Sequence, residues 1–129
     1  MSFLLDASAI LNLSSAGKLN PLLQGKTITL AYYEVGNALW NQIRIHRLIT
    51  LEEGLKALDT LYKTIDEIEK VPLQEPKTIL EVSTNEGITY YDASYIHAAR
   101  LTGSKLVTDD NKLRSIAEKY VETMTSEKI

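Results

Sequence analysis

The sequence predicts an α/β fold, a parallel sheet with helices on both faces. Short apolar runs of strand length alternate along the chain with stretches of helical periodicity. Some of the helical stretches open on a capping residue and several close on glycine. Two of the strand runs are followed by an aspartate of interest: Asp6 ends Phe3-Leu4-Leu5, and Asp110 follows Leu106-Val107.

Taken in order, residues 2–6 form a short buried strand, and Ala7 to about Ser15 a helix capped by Asp6 or Ser8. Gly17 closes that helix, and Leu19 to Leu23 form a second short one. Thr27-Ile28-Thr29-Leu30 is a β-rich run. From Ala31 to Arg47, Val35, Leu39 and Ile43 recur at helical spacing. Thr50 and Glu53 make a capping box, so another long helix runs to about Lys70 on a stripe of Leu51, Leu55, Leu58, Leu61, Tyr62 and Ile65. These two helices form an antiparallel hairpin. Val71-Pro72-Leu73 is an extended link, and Pro76 opens a helix that ends near Gly87. A helix from Tyr91 to Thr102 stops at Gly103. Lys105 to Thr108 is a strand, Asn111 to Lys119 a helix, and Val121 to Met124 a last strand.

A chain of 129 residues makes one domain, 1–129, large enough for a proper core. With 44% hydrophobic and 24% charged residues, disorder is not expected. The absence of cysteine excludes disulfides and thiolate metal sites, and His46 and His97 are the only imidazoles. No basic leader and no apolar stretch of membrane-spanning length is present, so a cytoplasmic protein without membrane contact is expected. A net charge of −3 argues against nucleic-acid binding by charge alone, though metal ions neutralising a site locally would permit it.

Four acids carry the chemistry. Asp6 and Asp110 end strands, while Glu34 and Asp92 fall in the first turns of helices. In a parallel sheet these places face one crevice, so acids spread over a hundred residues of chain converge. Singly, each has a plain explanation: Asp is a good helix cap, and acids in a first turn suit the macrodipole. Together they repel. Two unit charges about 5 Å apart at an effective dielectric of about 20 do so by roughly 3 kcal/mol. A hard, oxygen-loving cation, Mg²⁺ or Mn²⁺, offsets that repulsion and directs attention to phosphoryl chemistry. Ser8 and Thr108 are placed to hold neighbouring carboxylates, or to make local turn bonds, and Asn37 lies one turn after Glu34. Arg44, His46 and Arg47 suit a helix end better than RNA contact, and Lys112 and Arg114 a solvated face better than phosphate. His97 reads as a packed or surface residue. Tyr33 and Trp40 lie on a helix face distinct from Val35, Leu39 and Ile43, suiting either core or a protein interface.

These segments resemble the motifs of PIN-domain ribonucleases, particularly the VapC-type toxins of toxin–antitoxin pairs. Leu4-Leu5-Asp6-Ala7-Ser8-Ala9-Ile10 resembles the first motif and Tyr33-Glu34-Val35-Gly36-Asn37-Ala38-Leu39 the second. Tyr91 to Ala99 resembles the third and Leu106 to Leu113 the fourth. The resemblance implies a three-layer α/β/α domain with a mainly parallel sheet of four to five strands. It also implies a Mg²⁺- or Mn²⁺-dependent endoribonuclease whose ions are coordinated by Asp6, Glu34, Asp92 and Asp110. Asp109 adjoins Asp110, and the family's pattern of threonine, any residue, then acid favours Asp110. An RNA substrate, a homodimer and a cognate antitoxin are implied in the same way, with Trp40 a candidate interface anchor.

Other classes account for less of the sequence. A dehalogenase-type phosphatase would need an acid where Ser8 stands, and a receiver domain would need paired acids after the first strand. A non-catalytic partner-binding module, with its acids serving as caps, is the third alternative.

Overall fold

The computed structural model describes residues 2–129, and among these the chain forms five strands and seven α-helices. The strands are β1 (Phe3–Leu5), β2 (Lys26–Thr27), β3 (Glu69–Lys70), β4 (Lys105–Val107) and β5 (Thr123–Met124). All pair in parallel in the order β3-β2-β1-β4-β5. Because side chains alternate across a strand, Leu5 and Val107 point to one face and Leu4 and Leu106 to the other. The first face is covered by α1 (Ala7–Ser15), α2 (Leu19–Gln24), α3 (Leu30–Trp40) and α4 (Leu51–Glu67), through Ile10, Leu22, Val35 and Ile65. The second is covered by α6 (Tyr90–Thr102) and α7 (Asn111–Ala117), with α5 (Pro76–Glu86) packed on α6. The expected three-layer α/β/α architecture is therefore present. No helix among the described residues is long and apolar enough to cross a membrane.

Local signals hold where they were chemical. Thr50 Oγ1 accepts from the Glu53 amide at 3.1 Å while Glu53 Oε1 accepts from the Thr50 amide at 2.9 Å, closing the capping box of α4. Gly87 and Gly103 end α5 and α6 with φ of 67° and 61°, left-handed values that glycine adopts without strain.

Five readings need correction. The long helix does not reach Lys70: it ends at Glu67, and Glu69–Lys70 forms the edge strand β3, which the sequence reading lacks. The β-rich run from Thr27 yields strand only at Lys26–Thr27, because Leu30 already opens α3. Glu34 consequently sits in the second turn of α3, so the macrodipole does not explain it. The helix read as Ala31–Arg47 is α-helical only to Trp40, and Asn41–Ile45 is a π-helical turn. Leu51 and Leu55 belong to the apolar stripe of α4 yet are exposed, since the core contacts of that helix begin further along, at Ala57 and Leu58, with Leu61 and Ile65 buried.

Candidate active site

The strand order reverses at β1: β2 and β3 lie to one side, β4 and β5 to the other. In parallel sheets the crevice outside the carboxyl ends at such a switch point is where ligands bind. Here it is a cavity of about 250 Å³ whose lining includes Asp6, Ser8, Glu34, Asn37, Asp92 and Asp110. Asp6 and Asp110 arrive from the ends of β1 and β4, Glu34 from α3, and Asp92 from the first turn of α6. All four predicted acids thus face one pocket.

Asp6 is 5% exposed. Its Oδ1 accepts from Ser8 Oγ at 2.7 Å and from the Ala9 amide at 2.9 Å, so the residue caps α1 and serves the pocket at once. Asp110 does likewise for α7, its Oδ1 accepting from the amides of Lys112 and Leu113 at 2.9 and 3.1 Å. Ser8 Oγ also accepts from the Asp109 amide at 3.0 Å, and Thr108 Oγ1 accepts from the Asp110 amide at 3.1 Å. The Ser8 hydroxyl thus fastens the ends of β1 and β4 together, while the Thr108 bond shapes the turn that carries Asp110.

The two adjacent acids part company. Asp109 turns away from the pocket: Asn12 Nδ2 donates to its Oδ2 at 2.6 Å, and Ser126 donates through both N–H and Oγ at 2.8 and 2.5 Å. Burial works to raise the Asp109 pKa, but the hydrogen bonds from Ser126 and Asn12 prevail and hold it below the ordinary carboxylate value.

Within the pocket the shifts run the other way. Burial raises the pKa of Asp6, against the hydroxyls of Thr108 and Ser8 and the Ala9 amide. Burial also raises that of Glu34; the Tyr95 hydroxyl opposes this, while the charges of Asp92 and Asp6 add to it. For Asp92 the causes are burial and then the charge of Asp110, with Lys112 opposing. Burial is the leading cause for all three, and neighbouring carboxylates add to it, so each of these acids favours its neutral form more than a solvated carboxylate does.

The donor set suits a hard divalent ion: carboxylates, two asparagines and hydroxyls, without sulfur or imidazole. Tyr95, to which the sequence reading gave no role, also lines the pocket; it is 1% exposed, and its hydroxyl lies toward Glu34 without completing a hydrogen bond of full geometry. Its spacing of three from Asp92, on one helix face, was the available signal. Asn41, at the start of the π-helical turn, is a second lining residue missed from sequence. Among the described residues, however, no three acids or histidines stand close enough to enclose an ion. Asp6 and Asp110 each commit one oxygen to a cap.

The other candidates lie elsewhere. Arg44, His46 and Arg47 are exposed at the hairpin turn. His97 is buried away from the acids, its Nε2 3.7 Å from Glu75 Oε1. Lys112 is exposed at the pocket rim beside Asp92, and Arg114 is turned onto Asn111 Oδ1 at 2.6 Å.

No family model matches the chain. Two curated proteins of Pyrobaculum aerophilum do. Exonuclease VapC9 is 37% identical over 84 residues, a match covering 65% of this chain and 60% of that protein, less than two thirds of its length. Ribonuclease VapC3 is 33% identical over 100 residues, covering 77% of this chain and 73% of that protein. The chain belongs to the VapC family. The crystal structure of PAE2754 from Pyrobaculum aerophilum superposes with a TM-score of 0.83 at 28% identity, over 99% of this chain and 94% of that one. VapBC-1 from nontypeable Haemophilus influenzae shares the VapC fold at a TM-score of 0.60 and 15% identity, over 98% of this chain and 99% of that one. The segments that resembled the family's motifs are the ones that build the acidic pocket.

Proposed function

We propose that this chain is a metal-dependent endoribonuclease, a VapC-type toxin, with Asp6, Glu34, Asp92 and Asp110 holding Mg²⁺ or Mn²⁺. The observation that carries the proposal is the pocket itself: four carboxylates, from four separate elements, at the switch point of a parallel sheet. Membership of a family that includes a named ribonuclease and a named exonuclease supports the same reading. A bound divalent ion supplies Lewis acidity and neutralises charge on the scissile phosphate. The chain's own residues do the rest. Ser8 and Thr108 fix the Asp6 carboxylate and the β4 end that carries Asp110, and the Asn37 amide faces the same space. Lys112, at the rim, meets the phosphate backbone. Without cation the pocket repels RNA, so binding and cleavage are both expected to need it.

Purified protein incubated with single-stranded or looped RNA in Mn²⁺ is expected to cleave it, and EDTA to stop cleavage. Attack by water leaves 5′ phosphate and 3′ hydroxyl ends. Cyclic 2′,3′-phosphate products would show attack by the RNA's own 2′ hydroxyl and overturn the mechanism.

A ribonuclease of this kind needs restraint, and we infer a homodimer held by a cognate antitoxin. Trp40, Ile45, Leu48, Leu51 and Leu55 are exposed along the turn of the α3–α4 hairpin, where large apolar side chains favour a protein partner. Trp40, 52% exposed on the face opposite Val35, is the anchor expected there. An amphipathic antitoxin segment lying on this surface could present Arg or Lys to the carboxylates. Light scattering after size exclusion is expected to give a dimer that Trp40→Ala weakens. A monomer at high micromolar concentration rules the dimer out.

A further inference from the structure

Tyr95 has a feature that packing does not explain. It lies one turn after Asp92 on α6, and its ring packs in the core with Leu4, Ile96 and Leu106. Its hydroxyl is sealed from solvent and completes no hydrogen bond of full geometry among the described residues, although it lies toward Glu34. Facing that oxygen are the carboxylates of Glu34 and Asp6 and the backbone of Ala7. A buried hydroxyl left unpaired is unfavourable, and phenylalanine would fill the same space without it. The stability of the fold gives no reason for the oxygen. A phenol O–H donates one hydrogen, and the carboxylates facing it are acceptors.

Resting on the metal-dependent reading of the pocket, we propose that Tyr95 is a positioning residue that orients the Glu34 carboxylate toward the cation. Its hydroxyl donates to one carboxylate oxygen, so that the other is presented to the ion. Being closed off from solvent, it cannot reach RNA and acts only through Glu34. This is the relation by which groups behind a metal's ligands fix their orientation and affinity.

The test is Mn²⁺ binding by calorimetry, with melting temperatures measured without metal. Tyr95→Phe should weaken Mn²⁺ binding about tenfold or more, the range found when a ligand's supporting partner is lost. Its metal-free melting temperature should be unchanged or higher. Tyr120→Phe is the control: that hydroxyl bonds Glu86, outside the pocket, and Mn²⁺ affinity should not move. In a Glu34→Gln background, adding Tyr95→Phe should change Mn²⁺ affinity no further, because its effect passes through Glu34. Wild-type protein that binds no Mn²⁺ would overturn the metal reading, and Tyr95's role with it. Wild type that binds while Tyr95→Phe binds equally well would overturn the Tyr95 proposal alone. A lowered metal-free melting temperature in Tyr95→Phe would mark the hydroxyl as structural and overturn it too.

Discussion

Asp6→Asn/Asp92→Asn protein is expected to lose RNA cleavage while its metal-free form melts at a higher temperature than wild type. Loss of a supporting partner alone costs metal sites about 10–100-fold, so loss of two ligands should exceed roughly two orders of magnitude. The gain in stability has a separate cause. Folding raises the pKa of Asp6 and Asp92, through burial first and neighbouring carboxylates second. Each unit of such a rise opposes folding by about 1.4 kcal/mol at neutral pH. Asparagine removes the charge and still accepts from the Ala9 amide, so the cap on α1 survives. The pH dependence follows in sign. Groups whose folded pKa is raised take up protons on folding, and the stability this brings is fully present below the unfolded pKa. It is lost as pH rises through the folded value. The variant's advantage should therefore be greatest at neutral pH and shrink as pH falls toward the ordinary carboxylate range. Mn²⁺ should raise the melting temperature of wild type by mass action, equivalent to about 2.7 kcal/mol at a hundredfold excess over Kd, and leave the variant unmoved. A variant that still cleaves RNA, or responds to Mn²⁺ as wild type does, would remove these residues from the site.

The adjacent acids Asp109 and Asp110 should give opposite phenotypes. Asp109→Ala strips the partners from the Ser126 amide, the Ser126 hydroxyl and the Asn12 amide, at a cost of about 2–4 kcal/mol. What survives folded should bind Mn²⁺ normally. Asp110→Asn keeps an acceptor for the Lys112 and Leu113 amides, so stability should hold while Mn²⁺ binding and cleavage fall. Chemical denaturation and Mn²⁺ titration of both variants separate the roles. The reverse pattern would mean that Asp109, not Asp110, serves the pocket.

Much of this was legible in the sequence, and for identifiable reasons. Asp6 and Asp110 stand out because a strand end, a cap and a carboxylate coincide at single positions. The capping box at Thr50 needs only two residues three apart. β3 left no such mark: Glu69-Lys70 carries no apolar side chain, and its place is set by pairing with Lys26 and Thr27. The π-helical turn was equally silent, since five residues are too few for its period to depart visibly from that of an α-helix. Tyr95 was hidden by its ring, which satisfies the apolar pattern of α6 while its hydroxyl does not. Leu51 and Leu55 fit a helical stripe perfectly well; periodicity says which residues share a face, not whether anything covers it.

The bond from the Asp109 amide to Ser8 Oγ joins residues 101 positions apart, and β1 pairs with β4 across a similar interval. Joining such distant stretches is slow, because the entropy of closing the loop must be overcome before the contacts reward it. During synthesis, Asp6 can cap its helix as soon as α1 emerges, yet its carboxylate stays in open water until β4 arrives. The chain therefore has no assembled pocket until β4 (Lys105–Val107) has been made, long after β1 (Phe3–Leu5). No nascent chain shorter than that gathers the four acids into one place.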